Sequence, residues 1–367
     1  MDVFICDNEL NVIRVVDSYS SVIWTERYSS CGDFQLDLPY DEELFHILTD
    51  DSGLEDDYRA RIKGSNTVMM IEEVTLITDA EEGVSMTIKG RSLEAILERR
   101  VIYGQTEVLS DLETNIHQII NNNAVEPEDQ NRIIPGLVIA ESGDDRITEI
   151  TFEAQYYFDN LYNKIQEICE TYSVGFRIWP IVGGVEFKLF MGEDRSFGQE
   201  DNNFVIFSPR FDNLLNSNYV EAVSEMSNVA YTVGEGERSQ TEIGESSRDG
   251  VTYIGLKRRE LAVDAGDVSK TVDNGDGRQR HLTDEEYKTE LGNAGLEELA
   301  NYEYKRTFDG EVDSSLTFKY GIDYFIGDLV EVENEYGMSA KAKVTELIRS
   351  YDSNGYKEYP TFEKIEV

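Results

Sequence analysis

One stretch near the start of the chain admits few folds. From Gly32 to Pro39 it reads Gly-Asp-Phe-Gln-Leu-Asp-Leu-Pro. Phe34, Leu36 and Leu38 alternate with Asp33, Gln35 and Asp37, so the segment is a strand with one buried face. Gly32 allows a sharp entry and Pro39 stops the ladder. Trp24 precedes this strand by a short step. A second segment, Ile88 to Ile102, reads as a strand running into a short amphipathic helix. Gly90 lies in the strand, Leu93, Ile96 and Leu97 share one helix face, and Arg100 closes it.

The chain has 367 residues, which suits two to four domains. Its 33 basic and 74 acidic residues leave a formal charge of −41, so the chain has no basic excess to release phosphate counterions. The charge argues against a specific nucleic-acid binder and against electrostatic binding to a membrane. It does not imply disorder, because 21 Tyr and 16 Phe with ample Val, Ile and Leu supply real cores. Met1-Asp2-Val3 lacks the basic start and apolar run of a secretory signal, and no stretch is apolar enough to span a membrane. Cys6, Cys31 and Cys169 fit no disulfide framework or metal spacing, so buried reduced thiols are expected.

Residues 1–40 read as strands, and 41–60 as an acidic loop. A hairpin is expected from Met69 to Lys89. Ser110-Asp-Leu-Glu113 reads as a capping box opening a helix through Leu112, Ile116, Ile119 and Ile120, with Asn121-Asn-Asn123 ending it. A second helix is predicted over Asp159 to Tyr172, followed by a hairpin from Phe176 to Phe190. Strand-like pattern returns at Phe204–Phe207, 220–233 and 251–263, while 234–250 and 264–282 are polar and Gly-rich. Thr283-Asp-Glu-Glu286 is another capping box, for a helix to about Arg306. The C-terminus reads as a meander of strands over 317–320, 328–333, 340–351 and 356–362, with Asn354-Gly355 as a hairpin turn.

Catalytic patterns are weak. His46, His117 and His281 form no H-E-x-x-H pair, and no G-x-S-x-G elbow occurs. His117 beside its apolar helix face reads as a surface or capping residue. Asp273-Asn-Gly-Asp-Gly277 imitates a calcium loop, but that register puts Val272 and Thr283 at positions needing oxygen ligands. Gly234-Glu-Gly-Glu-Arg-Ser239 lacks the third glycine of a nucleotide loop. No cofactor, metal ligand or catalytic residue is assigned.

The two opening segments together resemble the start of bacteriophage tail-hub proteins, the tail-associated family at the tip of siphophage tails. The resemblance continues through Asn160-Leu161-Tyr162, Ile165, Glu167-Ile168, Glu170, Tyr172 and Val174-Gly175-Phe176. It then runs through Gly192 to Ser196, Phe207-Ser208, Asn213-Leu214-Leu215, Asn228 to Glu235, Arg258-Arg259-Glu260 and Gly327-Asp328-Leu329-Val330. It covers nearly the whole chain by order and spacing.

The resemblance implies a β-rich α+β fold with two antiparallel β-barrel ring domains around an inserted α+β domain. The first ring domain would be 1–104, completed by about 205–235. The insert would be 105–204. The second ring domain would be 236–367, with a helix-containing insertion at about 264–308. It also implies a structural, non-enzymatic homotrimer at the virion tail tip, assembled in the host cytoplasm. Implied partners are a distal tail ring or tail tube protein, the tape-measure protein and a downstream fibre or receptor-binding protein. DNA would cross the ring at ejection. A lumen lined by acid rather than base would not hold it, and Asp41, Glu42, Glu43, Asp50, Asp51, Glu55, Asp56 and Asp57 are the candidate lining. A second reading is a carbohydrate-binding receptor protein, resting on aromatic clusters such as Tyr156-Tyr157-Phe158. A third is a peptidoglycan hydrolase of the tail, for which close carboxylate pairs are the only cue.

Overall fold

The computed structural model describes residues 2–50, 52–79, 83–236, 242–273, 279–312, 317–336 and 339–364. The chain forms two compact units, Met1–Asn218 with Phe308–Val367, and Tyr219–Thr307. The elements of the first unit begin with β1 (Val3–Cys6), β2 (Val12–Val16), β3 (Ser21–Arg27) and β4 (Asp33–Pro39). They continue with α1 (Glu42–Thr49), β5 (Arg59–Ile62), β6 (Met69–Asp79) and β7 (Gly83–Ser92), then a 3-10 helix at Leu93–Arg99. Phe34, Leu36 and Leu38 are buried as the alternation requires, with Trp24 behind Phe34.

The segment 41–60 is not a loop. Asp41 caps α1 by accepting the Leu44 amide at 3.0 Å, and Leu44 and Leu48 bury one helix face. Acid in the first turn favours a helix N-terminus, so the charge density that suggested a loop instead supports the helix.

Next come β8 (Gln105–Val108), α2 (Leu112–Ile120), β9 (Leu137–Ala140), α3 (Asp145–Thr148), β10 (Ala154–Tyr157), α4 (Leu161–Thr171), β11 (Gly175–Ile181) and β12 (Gly184–Phe190). β11 and β12 form the expected hairpin, and β9 joins β12 in parallel. The cap of α2 is Asp111, whose carboxylate accepts the Thr114 amide at 2.9 Å; Ser110 instead donates its amide to Asn115. Nor do the asparagines end the helix. Asn121–Val125 continues it as a π-turn, because Asn123 is buried and bonds both Ile119 and Tyr103. The apolar faces of α2, α4, β11, β12 and the 3-10 helix share one core.

β13 (Ile206–Phe207) is followed by β14 (Leu214–Ala222), which leads out of the first unit. The second unit holds β15 (Val229–Val233), β16 (Ile243–Ser247), β17 (Glu260–Asp264), β18 (Thr271–Asp273), β19 (Gln279–His281) and α5 (Asp284–Ala300). β15 sits between antiparallel β16 and parallel β17. The nucleotide-loop imitation at Gly234–Ser239 and the calcium-like loop at Asp273–Gly277 lie partly outside the described residues. The polar 264–282 stretch carries the short β18/β19 hairpin, and α5 stops at Ala300 rather than Arg306.

The capping box of α5 is present as predicted, with Glu286 also held by Arg280. Arg280 and the Thr283 groups pull the Glu286 carboxyl down to about 2. Thr283→Ala is expected to cost about 1 kcal/mol. Faster hydrogen exchange confined to the first turn of α5 would report it; unchanged protection there would contradict the cap's role.

β20 (Lys305–Val312) leads back, followed by β21 (Leu329–Glu333), β22 (Ser339–Asp352) and β23 (Gly355–Lys364). Residues 317–320 form no strand among the described residues, only a bridge from Tyr320 to Tyr324. The last hairpin turns at Ser353-Asn354, one residue earlier than predicted, with Gly355 at φ +103° opening β23. One large sheet orders its strands β14-β20-β23-β22-β3-β4-β7-β6-β5-β1-β2, with β21 on β22 and β13 on β21. The two ends of the sequence thus meet where β22 pairs with β3, Arg349 opposite Trp24. The β-rich α+β class is as expected; no closed barrel is formed by the pairings of the described residues.

Candidate functional site

Tyr28 marks where three distant segments join. Its amide donates to the Thr345 carbonyl at 2.9 Å and its hydroxyl to the Ser173 carbonyl at 3.0 Å. Phe190 meets the ring edge-on at 5.3 Å, and Lys343 lies 5.0 Å from the ring centre. Burial pushes the phenol well up. Gly175 and Gly327 are the only size that fits, since a Cβ on either would lie 2.5 Å from the Tyr28 ring. Gly327 also has φ +97°.

Asp328 fastens the same junction. It is buried and accepts from the Glu193 amide at 2.7 Å, the Phe325 amide at 3.0 Å and Arg195 Nε at 2.6 Å. Gly192 packs on Gly327, so Gly192–Ser196 and Gly327-Asp328 are two halves of one contact. The sequence reading named both and could not pair them.

The other motif residues are structural. Gly32 approaches the Thr25 carbonyl too closely for any Cβ, and its amide donates to Ser92 Oγ at 2.7 Å. Gly90 lies beneath the Phe34 ring and against the Met70 carbonyl, beside a bulge in β6. Leu36, Leu93 and Leu97 are core, and Pro39 ends β4 opposite Ser85. Arg100 holds the Arg132 and Ile133 carbonyls at 2.5 and 3.1 Å.

The acidic residues divide in two. Asp41 and Glu43 pair with Arg14 at 2.8 and 2.7 Å, and Asp57 grips Arg99 with both oxygens. The Leu44 amide and Arg14 lower the Asp41 carboxyl; Arg99 lowers that of Asp57. Asp50 meets His46 at 3.1 Å. Glu42, Glu55 and Asp56 are exposed, while Asp51 lies outside the described residues.

A buried ion cluster stands where the chain ends pair. Arg349 bonds Glu26 and reaches Glu358 at 3.3 Å, each side chain being at most 8% exposed. Its guanidinium lies 5.1 Å over the Tyr320 ring. Burial acts first and upward on the Glu26 carboxyl, but Arg349, Arg177 and the Ser65 hydroxyl outweigh it and hold the group below its usual range.

His117 is neither a surface nor a capping residue. Its Nε2 is shielded on α2, 3.8 Å from the Glu113 carboxylate, because the ring lies along the helix one turn from Glu113. Glu113 accepts the amide and hydroxyl of Ser142, and Glu141 lies beside them. Glu113 was read as a capping-box carboxylate and Glu141 was not singled out; the Glu113/His117 spacing of four was the available signal for their grouping. Cys6 and Cys169 are free and buried as expected, and Cys31 is half-buried.

Residues 2–362 match the family described as siphovirus ReqiPepy6 Gp37-like protein. The chain belongs to that family. Three solved structures share its fold. The 43 kDa tail protein of prophage MuSo2 from Shewanella oneidensis aligns with TM-score 0.54 at 11% identity, over 99% of this chain and 98% of that one. The tail protein from Neisseria meningitidis MC58 aligns with TM-score 0.57 at 10% identity, over 99% and 96%. Prophage tail protein gp18 from Listeria monocytogenes EGD-e aligns with TM-score 0.51 at 13% identity, over 100% and 96%. No curated protein sequence matches. At such identities the likeness is one of fold, and the fold is that of phage tail proteins.

This Gp37-like chain also exposes an aromatic group. Tyr103, Tyr157 and Phe158 are 64, 69 and 48% exposed, with ring centres 5.3 Å apart for Tyr103–Phe158 and 4.9 Å for Tyr157–Phe158. Phe158 sits at φ +55°. Tyr156, predicted with them, is buried instead because its strand position faces the core shared with α4. No helix among the described residues is long and apolar enough to cross a membrane.

Proposed function

We propose that this tail-associated structural protein is the tail-tip hub of a siphophage. Three copies form a ring that closes the tail tube, anchors the tape-measure end, receives the downstream fibre or receptor-binding protein and passes DNA at ejection. The observation that carries this reading is the correspondence of fold over nearly the full length of three phage tail proteins, reached by a family member. Within it, 1–104 with 205–235 and 236–367 supply the two barrel-type ring domains, and 105–204 the insert. The join of β3 with β22 and the Tyr28–Asp328 junction support a rigid unit able to bear load through all three segments. Glu42, Glu55 and Asp56, exposed and outside the pairs with Arg14, His46 and Arg99, are the residues proposed to face the channel.

Three copies bring together a formal charge of about −120, so assembly works against repulsion that salt screens. Light scattering is expected to give a trimer whose population rises with salt and concentration. A monomer persisting at high salt and high concentration would oppose a self-assembling ring.

A second reading is favoured by the Tyr103, Tyr157 and Phe158 platform, whose exposed rings suit stacking on sugars. Glycan-array binding abolished by Tyr157→Ala would favour it over a purely structural role.

A further inference from the structure

We propose that Glu113, His117 and Glu141 form a binding site for a divalent transition ion of the zinc type. The His117 nitrogen and one carboxylate oxygen from each glutamate lie within 4.8 Å of one another. Glu113 and His117 stand one turn apart on α2, which puts both donors on one face. Glu141 comes from the loop after β9.

The imidazole supplies a separate observation. His117 Nε2 is shielded from solvent and has no hydrogen-bond partner among the described residues. The nearest carboxylate oxygen, on Glu113, is 3.8 Å away, beyond hydrogen-bond reach. A shielded polar atom left unpaired costs free energy, and one grouped with two carboxylates suits a cation. Neutral imidazole is the form that ligates such an ion.

The surroundings orient the donors. Ser142 gives its amide to one oxygen of Glu113 at 2.5 Å and its hydroxyl to the other at 3.0 Å. Each oxygen keeps a lone pair free, and the same contact brings the adjacent Glu141 to the helix. Such outer partners fix a ligand's direction. Zinc takes nitrogen and carboxylate donors at about 2.0–2.2 Å. Exposed Glu141 supplies the rotation needed to close the set around the ion. Calcium and magnesium favour oxygen donors alone, so the imidazole selects against them. Three protein ligands leave a fourth position for water. A bound ion would staple the loop at Glu141–Asp144 to α2.

The test is calorimetric titration of the chelator-treated full-length protein with Zn²⁺, in excess Mg²⁺ to occupy the acidic surface. One tight site per chain is expected. His117→Gln is expected to abolish it, and Glu141→Gln and Ser142→Ala to weaken it by about 10-fold or more. His46→Gln, at an exposed residue paired with Asp50, is expected to leave it unchanged. Co²⁺ in the same site is expected to give the intense visible bands of a four-coordinate ion in the parent and not in His117→Gln. Glu141 is exposed, so its variant remains informative if His117→Gln fails to fold. Absence of a tight site, or Zn²⁺ binding unaltered by Glu141→Gln, would overturn the proposal and leave only diffuse binding to surface acid.

Discussion

Asp328→Ala is expected to lower stability by about 3–5 kcal/mol. The Asp328 side chain is 3% exposed and its partner Arg195 is 16% exposed, so removal strands a largely buried cation. The Glu193 and Phe325 amides lose their acceptor as well. A buried donor left unmade costs about 1–3 kcal/mol, and the terms overlap rather than add. The lesion lies where the Gly192–Ser196 segment meets β21 and β22. Asp328→Asn keeps one acceptor oxygen and is expected to cost less than alanine. Urea unfolding of both variants measures this, with the midpoint moving and the slope unchanged. A loss below about 1 kcal/mol for alanine would show that the junction carries little of the fold's stability.

Arg349→Met is expected to be as severe, with a pH signature of its own. It leaves Glu26 and Glu358 buried without their shared cation, at a cost of about 3–5 kcal/mol near neutrality. In the parent, Glu26 has a depressed pKa. Its stabilisation is therefore fully present above the unfolded value of about 4.3 and is lost as pH falls through the lower folded value. Without Arg349, burial prevails and raises the carboxyl, so the variant gains relative stability as the group protonates. The gap between parent and variant narrows as pH drops from 7 towards 4. A gap that stays constant or widens would mean that Arg349 acts through packing on Tyr320 rather than through charge. Replacing Glu26 and Glu358 by Gln in the same variant is expected to recover much of the loss, since no uncompensated charge remains.

Local pattern carried much of the fold. The alternation at Phe34, Leu36 and Leu38, the Thr283 capping box and the β11/β12 hairpin depend on near neighbours, and each formed as read. Errors arose where two local signals competed. At 41–60 acid density suggested a loop, yet Leu44 and Leu48 at helical spacing with Asp41 as cap decided the structure. At 110–113 the serine and the aspartate both suit a cap, and Asp111 took the role while Glu113 turned to Ser142. The junction was invisible for another reason. Asp328 and Arg195 are 133 positions apart, and Arg349 and Glu26 are 323 apart, so periodicity carries no trace of either pair. The same holds for Glu141 beside Glu113 and His117, of which only the helical pair could be read from spacing.

The hub reading is tested most directly by electron cryo-microscopy of the intact tail. Three copies of this chain are expected in one ring at the distal end of the tube. Glu42, Glu55 and Asp56 are expected at its channel, with no ring of unpaired Lys or Arg there. A virion whose tail tip lacks the chain, or holds it as isolated single copies outside the channel axis, would contradict the hub assignment.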